Sequence, residues 1–214
     1  MDTKKQAQIV LKRLKKRYPQ TRSKLAWSNA WELLVSTVLA AQCTDERVNR
    51  VTPVFFQRWP DAAALAGAAV EDVQEVIRST GFFRNKAKNL VLAARRIQDA
   101  YNGRVPQTME GLVSLPGVAR KTANIVLSNA FGIQEGLAVD THVKRLSYRL
   151  GLTGHTDPNK IEKDLMPLFP REEWGEVNHL LVFFGRDVCT ARSPKCPACE
   201  LNDICPRRGV RKID

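Results

Sequence analysis

The sequence LPGVARKTANIVL covers residues 115–127 and has the clearest structural pattern in the chain. Pro116 and Gly117 form a tight turn, and the apolar residues after them recur at helical spacing, so the pattern predicts a helix that begins near Arg120. The first backbone N–H groups of a helix have no partner within it and carry the positive end of its dipole. A turn of this kind can bind a phosphate oxygen. Simple turns between helices, without any ligand, are also common.

The rest of the chain has the same helical periodicity. No segment alternates apolar and polar residues for the length of a strand, and turn-forming residues such as Asp157-Pro158 separate the apolar stripes. The sequence therefore predicts an all-α protein with short loops. The stripes at spacings of three and four include Trp31, Leu34, Val35 and Val38; Val70, Val73 and Ile77; Leu90, Ala94 and Ile97; Ala123, Val126 and Leu127; and Val177, Leu180, Leu181 and Phe184.

The charge balance favours an acidic partner. The 214 residues include 34 Lys and Arg against 22 Asp and Glu, a formal charge of +12, and residues 1–24 hold nine of these cations with only Asp2 against them. Such a field attracts nucleic acid. A solvated basic surface, or a membrane-surface helix over residues 4–17, would have the same composition. No apolar run approaches the roughly 20 residues of a membrane helix, and no secretory signal is present, so we expect a cytosolic protein without a membrane partner.

Four cysteines lie close together near the end of the chain. They have the spacing C-x6-C-x2-C-x5-C, in a tail with too few apolar residues to fold by burial alone. Structural zinc sites usually pair two short C-x2–4-C units, whereas an iron–sulfur cluster accepts wider spacings because its iron atoms lie apart. The spacing favours a cluster over zinc, and zinc over disulfides. The residues are Cys189, Cys196, Cys199 and Cys205, and Cys43 is expected to be a plain buried thiol.

Several motifs together resemble the endonuclease III family of helix-hairpin-helix DNA glycosylases. Besides the hairpin with Lys121, they are LAAQCTD at 39–45, GFFRNKA at 81–87, GIQEGLAVD at 132–140 with VDTHV at 139–143, and the cysteine segment, in the family's order over nearly the whole chain. Two departures occur. Ala119 stands where the family usually has a second hairpin glycine, and the Gly/Pro-rich stretch at 132–140 has no proline.

The resemblance implies a fold of two helical domains. A six-helix barrel with the helix-hairpin-helix motif would span residues 23–134. Residues 1–22 and 135–214 would form the second domain and hold a [4Fe–4S] cluster on the four cysteines. Lys121 and Asp140 would then face each other across a cleft between the domains.

The resemblance also implies a bifunctional enzyme of base-excision repair. Lys121 would attack C1′ of an oxidised, thymine-glycol-type pyrimidine nucleotide, expel the base and form a Schiff base that allows β-elimination at the abasic site. Asp140 resembles a helix N-cap in the sequence, and its carboxylate would also stabilise the sugar cation and accept protons. Two alternatives are a monofunctional glycosylase acting on mismatched adenine or uracil, and a non-catalytic helix-hairpin-helix DNA-binding protein.

The expected partner is double-stranded DNA with a damaged pyrimidine or an abasic site. Gln42 would fill the gap left by the flipped base, and Phe82 would insert into the opposite strand, with Phe83 an equal candidate. The basic N-terminal segment would add phosphate contacts. We expect a monomer in the bacterial cytoplasm, associated with the nucleoid. The remaining expected DNA contacts are Gly117, Ala119, Arg120, Thr122, His142, Arg192 and Lys195.

Overall fold

A computed structural model describes residues 2–21 and 23–210 of the chain. Within these residues it contains α-helices and short 3₁₀ turns but no strand, which confirms the prediction of an all-α protein. None of the described helices combines the length and the apolar character that a membrane span requires. The helices are α1 (Thr3–Arg17), α2 (Ala30–Leu39), α3 (Asp45–Arg58), α4 (Ala62–Ala66), α5 (Val70–Ile77), α6 (Phe83–Tyr101), α7 (Met109–Val113), α8 (Arg120–Ala130), α9 (Thr141–Arg149), α10 (Pro158–Leu165) and α11 (Trp174–Asp187).

The chain divides into two compact units. The described parts of Met1–Arg22 and Gly136–Asp214 form the first, and Ser23–Glu135 forms the second. Residues 1, 22 and 211–214 lie outside the described residues. All of them belong to the domain that the sequence predicts over residues 1–22 and 135–214, and residues 1 and 22 also belong to the basic segment 1–24.

The second unit contains α2 to α8 around one apolar core. Four of these seven helices begin at a residue whose side chain accepts a hydrogen bond from the helix's first turn, a cap worth about 1 kcal/mol each. The capping residues are Asn29, Thr44, Asp61 and Thr108. Fully buried core side chains include Leu33, Leu34, Phe55, Leu65, Ile77, Ile97, Leu112, Leu115 and Leu127.

The first unit packs α1 against the helices of the C-terminal half. The Gln6 amide donates hydrogen bonds to the carbonyl oxygens of Leu150 (2.8 Å) and Ile204 (2.7 Å), so it joins α1 to the end of α9 and to the cysteine segment. The apolar core of this unit includes Val10, Leu14, Val143, Leu146, Ile161, Leu180, Leu181 and Phe184.

Some basic side chains of α1 have carboxylate partners that the sequence did not indicate. Three of them form ion pairs with carboxylates of their own unit: Arg13 with Asp203, Lys15 with Glu173 and Glu176, and Arg17 with Asp187 and Glu200. These ion pairs join α1 to other parts of its own unit, and the phosphate contacts expected of the basic segment remain a prediction. The sequence alone did not indicate these partners because they lie more than 150 positions away.

Candidate active site

The predicted hairpin lies between α7 and α8. Gly117 has φ +79°, a conformation that glycine adopts most easily, and a Cβ added there would approach the Cβ of Asn89 to 2.9 Å. The turn is closed by the Val118 N–H, which donates to the Leu115 carbonyl at 3.1 Å. Glycine is therefore required at position 117 for both its backbone angle and its lack of a side chain.

The first turn of α8 carries most of the expected hairpin contacts. Ala119 precedes the helix in an extended conformation, with φ −88° and ψ 165°, and no side chain caps the helix there. Because this φ is ordinary for any residue, alanine fits where the family has glycine. Arg120 and Lys121 are exposed in the first turn, and Thr122 is half-buried. An uncapped helix start beside an exposed amine suits an anionic ligand.

Asp140 is the N-cap of α9, as its position in the sequence indicated. Its Oδ1 accepts hydrogen bonds from the backbone N–H groups of His142 and Val143, both at 2.8 Å. The cap uses only Oδ1, so Oδ2 is not needed to hold the helix. One carboxylate can therefore stabilise α9 and retain an oxygen for another partner.

His142 is a half-buried neighbour of that cap. Its Nδ1 lies 3.1 Å from Arg145 Nη2, and because a guanidinium only donates, the imidazole nitrogen accepts. Burial lowers the pKa of His142, and the nearby Arg145 and Arg186 lower it further while Asp140 opposes them. A Cβ on Gly185 would come within 2.7 Å of Nδ1, so α11 packs directly on this ring. These contacts describe a packed imidazole, and its DNA contact remains a prediction.

Gln42 and Phe82 both lie on exposed turns of the second unit. Both have left-handed backbones, with φ 52° at Gln42 and 47° at Phe82. The Phe82 side chain is 63% exposed, whereas Phe83 packs against the apolar core. The two phenylalanines were equivalent candidates in the sequence, and the structure favours Phe82 because its ring is much more exposed than the partly buried ring of Phe83.

The four clustered cysteines line one recess of the first unit. The walls of this recess also include Leu146, Phe184 and Leu201. Burial raises the pKa of the Cys199 and Cys205 thiols, and the other cysteines of the set raise both further. Four thiolates this close repel one another unless a cationic group offsets their charge. The chemistry of the donors therefore fits an iron–sulfur cluster.

No group of His, Cys, Asp or Glu side chains among the described residues is arranged to hold a single metal ion. The four cysteines line one recess.

Two arginines of α9 hold the start of the cysteine segment, and the sequence analysis missed them. The Arg149 guanidinium donates to the carbonyls of Thr190 (2.7 Å) and Ala191 (2.9 Å) and lies 3.3 Å from the Cys189 sulfur. Arg145 donates to the Cys189 carbonyl at 3.1 Å. Their spacing of four residues puts both on one helix face, which could have indicated a shared partner.

The two cations expected within the first cysteine loop are exposed. Arg192 and Lys195 both lie at the surface. The Lys195 amine is 3.9 Å from Asp187, a long and solvent-screened contact that leaves it able to bind a phosphate.

Comparison with protein families identifies the chain. The profile described as "HhH-GPD superfamily base excision DNA repair protein" matches residues 35–171. A second, "Iron-sulfur binding domain of endonuclease III", matches residues 189–205, the segment with the four cysteines.

Individual relatives match over almost their full length. Endonuclease III of Synechocystis sp. is 56% identical over 96% of this chain and 94% of its own. Endonuclease III of Bacillus subtilis is 43% identical over 97% and 94%. A solved structure of a trapped endonuclease III–DNA covalent intermediate superposes with a TM-score of 0.92 at 43% identity, over 97% of both chains. The chain belongs to the endonuclease III family of the HhH-GPD superfamily of base-excision DNA repair proteins.

Proposed function

We propose that this protein excises oxidised pyrimidines of the thymine-glycol type from double-stranded DNA and cleaves the strand at the resulting abasic site. The observation that carries the proposal is Lys121, an exposed amine in the first turn of the uncapped hairpin helix α8. The chain that was solved as a trapped covalent intermediate with DNA has the same fold. A covalent intermediate requires a nucleophile, and a lysine amine can supply one.

Lys121 acts first as the nucleophile. Its neutral amine forms a bond to C1′, the bond from C1′ to the base breaks, and the base leaves with the electron pair and takes up a proton. The C1′–O4′ bond then breaks and O4′ takes up a proton, so the sugar ring opens and leaves a protonated imine at C1′. This imine makes the C2′ proton acidic. Loss of that proton expels the 3′ phosphate, and water then hydrolyses the imine and restores the lysine. A monofunctional glycosylase forms no such imine.

Asp140 acts as the carboxylate of this reaction. Positive charge develops on the sugar as the base leaves, and a fixed negative charge lowers the barrier. The backbone N–H groups of α9 already orient this side chain through Oδ1, so little reorganisation is needed during the reaction. Oδ2 is available to accept the proton that the lysine must lose.

The cysteine segment holds the [4Fe–4S] cluster of this family. We assign Cys189, Cys196, Cys199 and Cys205 as its ligands because they line one recess and lie within the matched iron–sulfur segment. When bound, the cluster supplies four iron–sulfur bonds that order a segment poor in apolar residues. Arg149, through the carbonyls of Thr190 and Ala191, fixes the path of the chain at the first ligand.

The remaining contacts are to the duplex. Gln42 and Phe82 occupy the space that base flipping leaves in the stack, because the side chains of both are exposed on turns. Phosphate oxygens bind at the hairpin and at the exposed cations of the cysteine loop. The hairpin group is Gly117, Ala119, Arg120 and Thr122, the loop group is Arg192 and Lys195, and His142 lies beside Asp140.

The protein acts as a monomer on chromosomal DNA in the bacterial cytoplasm. The exposed large apolar side chains among the described residues are few and include Val54, Phe82, Leu92, Val113 and Tyr148. Stable homodimers usually bury a large apolar surface instead. Sedimentation of the protein with and without a lesion duplex tests this, and a dimer at micromolar concentration would contradict it.

Borohydride trapping tests the proposed reaction. Wild-type protein is mixed with a duplex that carries thymine glycol or an abasic site, and covalent complex and strand cleavage are measured. Lys121→Gln is expected to bind the duplex but neither to trap nor to cleave it. Lys88→Gln is the matched control, because Lys88 is an exposed lysine on α6 outside the site. If the wild type releases the base without trapping, the protein is a monofunctional glycosylase. If it only binds, it is a non-catalytic DNA-binding protein.

A further inference from the structure

Two turns of the second unit share an unusual backbone. Gln42 follows α2 and Phe82 precedes α6, and both have positive φ angles near +50°. Residues with a Cβ adopt this conformation at a cost in free energy, so surrounding contacts have to maintain it. The two side chains are also the two that we place in the base stack.

The two turns are adjacent. A Cβ built on Gly81 would lie 3.9 Å from the carbonyl oxygen of Gln42, which is ordinary van der Waals contact. Gly81 itself has φ +69° and ψ 150°, a combination that is nearly restricted to glycine. The Gly81 backbone, one residue before Phe82, therefore lies close to the carbonyl oxygen of Gln42.

One buried side chain joins both turns. Lys86 lies in the first turn of α6 and is only 6% exposed. Its ammonium group donates to the carbonyl oxygen of Leu39 at 2.8 Å and to that of Thr80 at 2.7 Å. Leu39 is the last residue of α2, and Thr80 is the last residue of the 3₁₀ turn Arg78–Thr80. The Lys86 contacts thus lie three positions before Gln42 and two before Phe82.

A buried cation at this place has a physical explanation. The carbonyl groups at a helix C-terminus lack partners within the helix and form its negative end, so a cation that binds them is stabilised. Here two helical segments end at the same ammonium group. Burial lowers the pKa of Lys86, and Cys43, next to Gln42, opposes that shift. An apolar residue of similar length could fill the space but could not bind both carbonyl oxygens.

We propose that Lys86 is a positioning residue that joins the Gln42 turn and the Phe82 turn into one rigid unit, so that both side chains enter the damaged duplex together. The inference rests on the proposed roles of Gln42 and Phe82 in the base stack. Lys86 touches neither the DNA nor the reacting sugar. It acts through the two carbonyl oxygens that fix the turns.

The test compares Lys86→Met with Lys88→Met. Both variants remove one lysine charge from α6 and keep the side chain's length, but Lys88 is exposed and binds neither turn. For Lys86→Met we expect single-turnover base release from duplex DNA to slow about tenfold or more, because two hydrogen bonds to a charged group are lost. Covalent trapping on a single-stranded abasic oligonucleotide, where no stack must be opened, should stay within about twofold. Lys88→Met should match the wild type on both substrates.

A physical readout accompanies the rates. 2-Aminopurine beside the lesion reports opening of the stack, and its fluorescence rise should slow for Lys86→Met in parallel with base release. Amide exchange of residues 40–43 and 80–83 should accelerate about tenfold, since the carbonyls that define the turns lose their shared donor. The proposal is overturned if Lys86→Met behaves as Lys88→Met does on the duplex, if it slows equally on both substrates, or if exchange of the two turns does not change.

A second experiment uses no Lys86 variant, so it can be carried out even if Lys86→Met does not fold. Gln42→Ala, Phe82→Ala and the double variant form a cycle on duplex DNA. If the turns act as one unit, the double variant should be slower than the slower single variant by no more than about threefold. Rates that multiply independently would overturn the proposal. If the wild type itself fails to trap, the proposed reaction fails, while amide exchange still tests the Lys86 contacts separately.

Discussion

Substitutions at Asp140 separate its structural role from its role in the reaction. Asparagine keeps an oxygen that can accept both 2.8 Å hydrogen bonds from the first turn of α9, and asparagine caps helices about as well as aspartate. It loses only the interaction of the charge with the helix dipole, which is worth about 0.3–1 kcal/mol. Asp140→Ala loses the cap as well, at about 1 kcal/mol more. The alanine variant should therefore be the less stable of the two.

The reaction rates of the two Asp140 variants should not follow the order of their free energies of unfolding. Both variants lack the carboxylate, so both should slow imine formation about 10²- to 10⁴-fold, the usual contribution of an acid–base group. The assays are urea unfolding followed by circular dichroism, and single-turnover borohydride trapping on an abasic duplex. If Asp140→Asn traps at the wild-type rate, the charge has no part in the reaction. If it unfolds as readily as Asp140→Ala, the described cap does not stabilise α9.

Three further predictions concern other parts of the chain. Phe82→Ala should change the free energy of unfolding by less than about 0.5 kcal/mol and slow base release from duplexes. Phe83→Ala should lower the free energy of unfolding by about 2 kcal/mol, because the Phe83 ring packs on the core. Urea unfolding distinguishes the two variants, and equal losses of stability would contradict the assignment of Phe82. Removal of the cluster with an oxidant and a chelator should accelerate amide exchange over residues 189–205 and leave most of the helical circular-dichroism signal unchanged. A global loss of helix would refute this prediction. The Thr153 hydroxyl donates to Asp164 and holds its pKa below the usual range. The resulting stability is present above the pKa of the Asp164 carboxyl in the unfolded chain and is lost as the pH falls through its lowered pKa in the folded protein. Asp164→Asn should therefore lose less stability than the wild type between about pH 5 and pH 2. Equal losses of stability in the two proteins would contradict this prediction.

Local patterns carried much of the information in this sequence. The helical stripes predicted an all-α protein, and the Pro116-Gly117 turn placed the start of α8 at Arg120, where the structure has it. The cysteine spacing favoured an iron–sulfur cluster, and the match to the iron–sulfur domain of endonuclease III supports that prediction. Turn chemistry, periodicity and ligand spacing all depend on neighbours in the chain, which is why sequence alone could show them.

Features that depend on distant partners could not be predicted in the same way. Arg17 counts as a free cation in the sequence, yet it pairs with Asp187 and Glu200. Lys86 is part of a family motif, but only the tertiary structure shows that its ammonium group binds the ends of two helical segments. A lysine on the apolar face of α6, four residues before Leu90, was the one available indication of a buried cation.

The identity of the nucleophile is tested most directly by mapping the covalent adduct. Protein is incubated with an abasic duplex and borohydride, digested with a protease and a nuclease, and analysed by tandem mass spectrometry. We expect a reduced sugar remnant on the Nζ atom of Lys121 and no adduct in Lys121→Gln. A remnant on another amine, or strand cleavage by Lys121→Gln at the wild-type rate, would contradict it.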